Sequence, residues 1–185
     1  YPISVLLLGR NSGNFKEQSL NVLVNSGFEN IITIENPKDN FRLESIVKKF
    51  PQVKFVVPSE KLSIGGMINL GMSECRSEFL LVIWDDLIIK NQIFNDLLFN
   101  KILATNCACF CPVFTNSILQ NIPVQMKPKI EKGIFEIEPS QVLYDNTPTL
   151  FPYDFVGVYN KQKFVNLGGF DISIKSTYWQ NLDFS

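Results

Sequence analysis

The stretch FLLVIWDDLII, residues 79–89, joins six consecutive non-polar residues to two adjacent aspartates, Asp85 and Asp86. A non-polar run of this length between polar residues is typical of a strand that is buried on both faces of a parallel sheet. A carboxylate is costly to bury unless a cation or a hydrogen-bond donor compensates its charge. The stretch therefore predicts a core strand with two carboxylates at its carboxyl end, where they either begin a solvated turn or hold a cation.

Strands and helices are predicted to alternate on both sides of this stretch. The predicted elements are strands at 3–9, 30–36, 53–57, 79–84 and 107–114, and helices at 14–27, 40–51, 63–77 and 91–104. Strands that alternate with helices indicate crossover connections, and thus an α/β fold whose mostly parallel central sheet has helices on both faces. Ligands of such sheets bind at the carboxyl ends of the strands, which is where Asp85 and Asp86 are expected.

The regular alternation ends near residue 110. From about residue 117 to residue 153 prolines are scattered and only short strand-like segments occur, which favours hairpins and loops over crossovers. We expect one domain over 1–185, with a regular half at 1–110 and an irregular half at 111–185. The chain begins without a methionine and stops without an obvious terminus, so we expect it to belong to a longer protein that is truncated here at its C-terminal end.

Composition excludes several kinds of partner. The 17 Lys and Arg residues and 18 Asp and Glu residues give a net charge of -1, which leaves no basic surface for nucleic acid or for an anionic membrane. No non-polar run approaches the roughly 20 residues that span a bilayer, so we expect a cytoplasmic protein without a transmembrane segment. The 4 cysteines, in a chain without histidine, predict buried thiols in a core strand rather than a zinc site or a disulfide framework.

Four segments together resemble the family 2 glycosyltransferases of the GT-A fold. They are SVLLLGRN (4–11), NIITIENPKD (30–39), INLGMSECRSEFLLVIWDDLII (68–89) and FVNLGGFD (164–171). The corresponding family segments are a strand that ends at the nucleoside, a strand that ends in an acidic residue, a helix before an acidic strand-end motif, and a glycine-rich turn. The resemblance covers nearly the whole chain, with 112–153 matched loosely. It implies a GT-A three-layer sandwich, with 1–110 as the nucleotide-binding half and 111–185 as the acceptor-side half.

The resemblance also places the nucleotide of the donor at the carboxyl ends of the first strands. Glu35 falls where the family usually has an aspartate that contacts the uracil or the ribose, so the acid is kept but is one methylene longer. The implied nucleotide-binding residues are Gly9, Arg10, Glu35, Asn69 and Asp85.

The acidic motif of the family is matched in its last two positions, Asp85 and Asp86, with Trp84 at the first. The resemblance implies that Asp86 binds Mn²⁺ or Mg²⁺, since hard oxygen ligands suit these ions and proteins hold them through one or two carboxylates together with phosphate oxygens. Without the resemblance, two adjacent aspartates would sooner indicate a solvated turn. An Asp86 side chain that points away from any cleft, or is held in an ion pair with a lysine or an arginine, would count against this metal.

The carboxyl-terminal segment departs from the family's pattern. Inverting members carry an acidic pair and, two residues later, another aspartate, and the aligned residues here are Gln180, Asn181 and Asp183. An amide cannot accept a proton from the acceptor hydroxyl as a carboxylate does, so Asp183 is the predicted catalytic base. Three alternatives stay open: Asp183 acts in a shifted geometry, the protein is a weak or inactive relative, or the alignment is off by one or two residues. The resemblance also implies acceptor contacts by Asp171, which otherwise holds the glycine turn, and by Trp179, which otherwise packs in the core or a pocket wall.

We therefore predict an inverting, metal-assisted glycosyltransferase that moves a sugar from a nucleotide diphosphate donor, UDP-linked, to a glycan or lipid-linked acceptor. The alternative is a catalytically impaired relative that binds a nucleotide sugar or a glycan, which Asn181 favours. A nucleotidyltransferase and a dinucleotide-binding dehydrogenase are both disfavoured, because GRNSGN (9–14) has neither a phosphate-binding glycine and lysine loop nor the three-glycine fingerprint. The sequence makes no prediction of an oligomeric state, and attachment to the inner face of a membrane through regions outside this chain is compatible with it.

Overall fold

Strands and helices alternate through the first half of the chain. The computed structural model describes residues 2–10, 15–37, 43–89 and 94–184. In chain order the elements are β1 (Ile3–Leu8), α1 (Lys16–Val24), β2 (Asn30–Ile34), α2 (Leu43–Lys49), β3 (Val53–Val56), α3 (Ile64–Glu74), β4 (Phe79–Trp84), α4 (Asp96–Ala104), β5 (Cys109–Phe110), β6 (Gln125–Glu131), β7 (Ile134–Ser140), β8 (Gly157–Asn160), α5 (Lys161–Asn166) and α6 (Thr177–Asp183).

A six-stranded sheet with the order β3-β2-β1-β4-β8-β5 forms the centre of the fold. Strand β1 runs parallel to β2 and β4, and β2 runs parallel to β3, whereas β8 is antiparallel to both β4 and β5. The predicted α/β fold with a mostly parallel central sheet is thus confirmed. In the irregular half, β6 and β7 form a separate antiparallel hairpin, as the scattered prolines indicated. None of the described helices combines the length and the hydrophobicity that crossing a bilayer requires.

The two central strands explain the non-polar runs of the sequence. Every residue of β1 and β4 is buried, and each fully buried leucine or isoleucine side chain stabilises the fold by about 1.5–3 kcal/mol relative to an exposed one. Helix α3 packs closely on this layer, because a Cβ atom at Gly71 would lie 2.5 Å from Leu6 Cδ2. The glycine is therefore required at this crossing.

The strand predicted at 107–114 is much shorter than expected. Within it only Cys109 and Phe110 form strand pairs, because β5 lies at the edge of the sheet and pairs with β8 alone. Its cysteines are half-buried rather than part of a core strand, and all four thiols of the chain are free. The predicted starts of the first, second and fourth helices, at 14, 40 and 91, lie outside the described residues.

Candidate functional site

The carboxyl ends of β1 and β4 meet at one edge of the sheet. The two strands are in register to their last residues, so that Leu8 lies beside Trp84. The backbone N–H of Asp85 then donates to the Leu8 carbonyl over 2.9 Å. This register brings Gly9 and Arg10 next to the two aspartates, as expected for strands that end at the same edge of a parallel sheet.

Asp85 is buried, with 5% of its surface exposed, and it bonds to the chain itself. Its Oδ1 atom accepts a hydrogen bond from the backbone N–H of Arg10 at 3.1 Å, and its carbonyl accepts one from the Ser19 hydroxyl at 2.9 Å. A Cβ atom at Gly9 would lie 3.6 Å from Asp85 Oδ2, which is ordinary van der Waals contact. Asp85 therefore fixes the backbone where the chain leaves β1.

Asp86 lies beside the Arg10 guanidinium. Arg10 Nε is 3.0 Å from Asp86 Oδ2, and the Nη2 atom of the same side chain pairs with Asp154 Oδ2. The Cζ atom of Arg10 lies 4.3 Å from the centre of the Trp84 ring, a distance at which a cation is attracted to an aromatic face. The Trp84 indole N–H in turn donates to the Asp154 carbonyl at 2.9 Å. We call Arg10, Trp84, Asp86 and Asp154 the Arg10 cluster.

No pattern in the sequence pointed to Asp154, although this residue completes the cluster. Its backbone lies in the left-handed region, with φ 53°, and that of the next residue, Phe155, does so too, with φ 62°. Such a conformation is uncommon for residues other than glycine, and it turns the Asp154 carboxylate and carbonyl toward the ends of β1 and β4. The conformation depends on tertiary contacts, which a local pattern does not reveal.

The charges and contacts of the cluster bear on the predicted metal in opposite directions. Asp86 and Asp154 contact the Arg10 guanidinium and Asp85 contacts the Arg10 backbone N–H, so these three carboxylates and one guanidinium carry a formal charge of -2. That excess suits a divalent cation. Against it, the Asp86 carboxylate is held in an ion pair with Arg10, the arrangement that counts against a ready metal ligand. The described part of the chain holds no group of three or more Asp, Glu, Cys or His side chains placed to share a metal.

A second ion pair lies at the end of β2. The Glu35 carboxylate pairs with the Lys16 ammonium group and also accepts a hydrogen bond from the Thr33 hydroxyl. Lys16 is in the first turn of α1 and is buried to 6% exposure, which is unusual for a lysine. The sequence prediction named Glu35 and missed Lys16, since nothing in the local pattern distinguishes a buried lysine from a solvated one.

Asn69 bonds to the glycine-rich turn that follows α5. Its Nδ2 atom donates to the Phe170 carbonyl at 2.8 Å, and its Oδ1 atom accepts from the Phe170 N–H at 2.9 Å. Gly169 has φ 70°, and a Cβ atom there would lie 2.8 Å from Asn69 Oδ1. The family-like asparagine and glycines therefore form one structural unit that ties α3 to this turn.

Asp171 is exposed at the end of the same turn. Its Oδ1 atom accepts from the Ser173 N–H at 2.8 Å, and hydrogen bonds from the Ser173 side chain and backbone lower the pKa of the Asp171 carboxyl. These contacts correspond to the turn-holding alternative for this residue.

Helix α6 carries the aligned positions of the acidic pair on its buried face. The Gln180 side chain accepts from the Gly65 N–H at 3.0 Å and donates to the Asp171 carbonyl at 2.8 Å. The Asn181 Nδ2 atom donates to the Pro152 carbonyl at 2.9 Å, while its buried Oδ1 atom has no hydrogen-bond partner among the described residues. Both amides thus join α6 to the rest of the domain.

The other two predicted residues of α6 face solvent. Trp179 is 58% exposed and packs edge-on against Tyr178, with 5.1 Å between the ring centres. Asp183 is also exposed, four residues further along the helix and so on the same side as Trp179.

Comparison with known proteins identifies the fold. No protein-family model and no curated protein sequence matches the chain. Among solved structures, residues 1–349 of TarS from S. aureus in complex with UDP-GlcNAc match with a TM-score of 0.65 and 16% identity, over 98% of this chain and 51% of that one. The mannosyltransferase PcManGT from Pyrobaculum calidifontis, in complex with GDP-Man and Mn²⁺, matches with a TM-score of 0.60 and 11% identity, over 98% of this chain and 50% of that one.

The chain has the fold of these glycosyltransferases. It spans about half the length of each of the two structures. At identities this low the match shows a shared fold and leaves activity, donor and metal to be argued from the residues.

Proposed function

We propose that the chain is the donor-binding part of a glycosyltransferase of family 2, which transfers a sugar from a nucleotide diphosphate donor to a glycan or lipid-linked acceptor. The observation that carries this is the edge where β1 and β4 end together, with Gly9 and Arg10 beside Asp85 and Asp86. It lies at the carboxyl ends of parallel strands, where ligands of α/β sheets bind. The fold match to structures in complex with UDP-GlcNAc and with GDP-Man supports a nucleotide sugar as that ligand.

The named donor residues divide into two groups by their contacts. Gly9, Arg10 and Glu35 lie at strand ends and are proposed to contact the nucleotide, for which we favour UDP. Asp85 and Asn69 hydrogen-bond to the protein backbone, so we propose that they shape the donor site indirectly. Asp85 fixes the backbone that follows β1, and Asn69 fixes the glycine-rich turn.

A divalent ion, Mn²⁺ or Mg²⁺, is proposed at Asp86. The excess negative charge of the Arg10 cluster supports it, as does the Mn²⁺ bound to PcManGT. When bound, such an ion stabilises the negative charge that develops on the leaving diphosphate.

The transfer requires an acceptor and a base. The acceptor oxygen forms a bond to the anomeric carbon, the bond from that carbon to the diphosphate oxygen breaks with its electron pair left on the diphosphate, and the acceptor's proton passes to a base. We propose Asp183 as that base, with Asp171 and Trp179 on the acceptor side. Their exposure on α6 and the adjoining turn supports contact with a second substrate, and attack from the face opposite the diphosphate would invert the anomeric centre.

A second candidate is a module that binds nucleotide sugar without transferring it. The buried amides of Gln180 and Asn181 favour it, because they lie where the resemblance places an acidic pair and neither can act as a base. The two candidates share the donor site and differ only in turnover.

Thermal unfolding with ligands tests the shared donor site. With UDP and Mn²⁺ present at about 100 times the dissociation constant, binding would stabilise the protein by about 2.7 kcal/mol, which raises the melting temperature by about 5–10 °C for a chain of this length. Asp86→Asn should abolish the shift, whereas Glu78→Gln, an exposed carboxylate before the opposite end of β4, should retain it. The absence of a shift in the unmodified protein with UDP or with GDP would refute the donor site.

Release of sugar from labelled UDP-sugar then separates enzyme from binding module. An enzyme of the proposed kind turns the donor over, and Asp183→Asn abolishes the turnover while the thermal shift persists. Binding without turnover in the unmodified protein would support the module instead.

A further inference from the structure

The Arg10 side chain lies where an ion on Asp86 would have to come. Its Nε atom is 3.0 Å from Asp86 Oδ2, a distance at which the ion pair is also hydrogen-bonded. An ion bound to that oxygen and a guanidinium at this distance exclude each other. Arg10 therefore opposes ion binding at Asp86 as long as its guanidinium stays on the carboxylate.

Arg10 is held in a way that permits this exchange. Its side chain is 38% exposed and that of Asp86 41%, so water screens their attraction and the ion pair is weak. The backbone of Arg10 is fixed independently, because its N–H donates to the buried Asp85 carboxylate. The side chain can thus change partners while the end of β1 stays in place.

The displaced guanidinium would need a new anion. A planar guanidinium pairs with phosphate oxygens through two parallel hydrogen bonds, which makes arginine a preferred phosphate ligand. A diphosphate bound to an ion at Asp86 would present such oxygens within reach of a side chain that starts on that same carboxylate.

We propose that Arg10 is a resident counter-ion that competes with the divalent ion for Asp86 and moves to the diphosphate of the donor when both are bound. This rests on the donor site of the proposed function. Each ligand alone binds weakly, because the ion must displace Arg10 and the diphosphate meets the Arg10 cluster and Asp85, which together carry a formal charge of -2. Together they bind with positive coupling, and the coupling is reciprocal by linkage.

Manganese binding without nucleotide is the direct test, measured by the loss of the free Mn²⁺ spin-resonance signal on titration with protein. Arg10→Gln removes the competitor, so we expect its Mn²⁺ affinity to exceed that of the unmodified protein by about tenfold, equivalent to about 1.4 kcal/mol. The matched control is Arg76→Gln, which removes the same charge from an exposed site before the opposite end of β4 and should leave the affinity unchanged. Arg10→Lys keeps the positive charge but lacks the planar guanidinium, and its affinity for Mn²⁺ should fall between those of Arg10→Gln and the unmodified protein.

Calorimetric titration of UDP with and without Mn²⁺ tests the second half. In the unmodified protein Mn²⁺ should tighten UDP binding by about tenfold or more. In Arg10→Gln this factor should be smaller, because the guanidinium no longer opposes the ion or meets the diphosphate, and only direct contact between ion and diphosphate couples the two ligands.

The outcomes separate the counter-ion role of Arg10 from the proposed function. Suppose that UDP and Mn²⁺ bind to the unmodified protein with positive coupling. If Arg10→Gln then leaves the Mn²⁺ affinity unchanged, or if Arg76→Gln raises it equally, the counter-ion role is refuted while the donor site is retained. If neither UDP nor GDP binds under any condition, the donor site itself fails and the role of Arg10 falls with it.

Discussion

Replacement of Asn69 by alanine tests whether this family-like residue acts on the fold or on the nucleotide. The structure gives its amide two bonds to one residue, a donor bond to the Phe170 carbonyl and an acceptor bond from the Phe170 N–H. Phe170 is 2% exposed, so water cannot easily replace either bond. Asn69→Ala therefore removes two hydrogen bonds and leaves two backbone groups without partners.

The expected loss of stability follows from these contacts. Each bond contributes about 1 kcal/mol net, and a buried group left unpaired costs about 1–3 kcal/mol. We expect the free energy of unfolding to fall by about 2–4 kcal/mol, measured by urea titration of the circular dichroism signal. Asn166→Ala is the control, because its side-chain hydrogen bond with Gln162 is exposed and the loss of that bond should change stability by less than about 0.5 kcal/mol.

The contrary result is equally specific. If Asn69→Ala unfolds at the same urea concentration as Asn166→Ala but no longer binds UDP, then Asn69 contacts the nucleotide directly and its bonds to Phe170 contribute little.

Three further predictions concern titratable and buried groups. Asn181→Asp should lower stability by about 1–3 kcal/mol at pH 7, because a carboxylate cannot donate to the Pro152 carbonyl. Burial raises the folded-state pKa of the new carboxyl, so the loss of stability should shrink as the pH falls toward about 4. A loss of stability that is independent of pH would contradict this. Burial raises the pKa of the Cys109 thiol well above its usual value, so iodoacetamide at pH 8 should modify it at least about tenfold more slowly in the folded than in the urea-unfolded chain, as mass spectrometry would show. The hydrogen bonds from Ser173 should place the NMR titration midpoint of Asp171 below 3.8, and Ser173→Gly should raise that midpoint. The stability that these bonds contribute is present at neutral pH and is lost as the pH falls through the lowered pKa. If Ser173→Gly leaves the midpoint unchanged, Ser173 is not the cause of the lowered pKa.

The central sheet was predictable because its signal is local. The residues of β1 and β4 are non-polar throughout since both faces of these strands are covered, and such runs are visible in the sequence without any knowledge of their partners. The position of Asp85 and Asp86 follows from the same run, because a residue directly after a parallel core strand must lie at its carboxyl edge. The edge strand β5 was overestimated for the opposite reason: its length depends on pairing with β8 alone, which no local pattern records.

The partners of the site residues were not predictable from local patterns. Arg10 was expected near a nucleotide, but its contact with Asp154 joins the first strand to the irregular half of the chain, where no periodicity fixes positions. The pairing of Glu35 with Lys16 likewise depends on how α1 packs beside β2. Resemblance to a family assigned roles one residue at a time, whereas the electrostatics of the site depend on which of these side chains meet.

The short segment from Phe151 to Phe155 links the two sides of the proposed site. Asn181 donates to the Pro152 carbonyl, and two residues later Asp154 holds the Arg10 guanidinium. A carboxylate at position 181 would repel that carbonyl, whereas the amide binds it, so the amide is the side chain that this packing requires. A carboxylate base at position 181 would therefore require a different backbone conformation of this segment, which would also move Asp154 relative to Arg10. It follows that turnover by this chain must depend on a group outside the buried face of α6. An acid introduced at position 181 alone should displace Asp154 and Arg10 at the ends of β1 and β4 rather than confer activity.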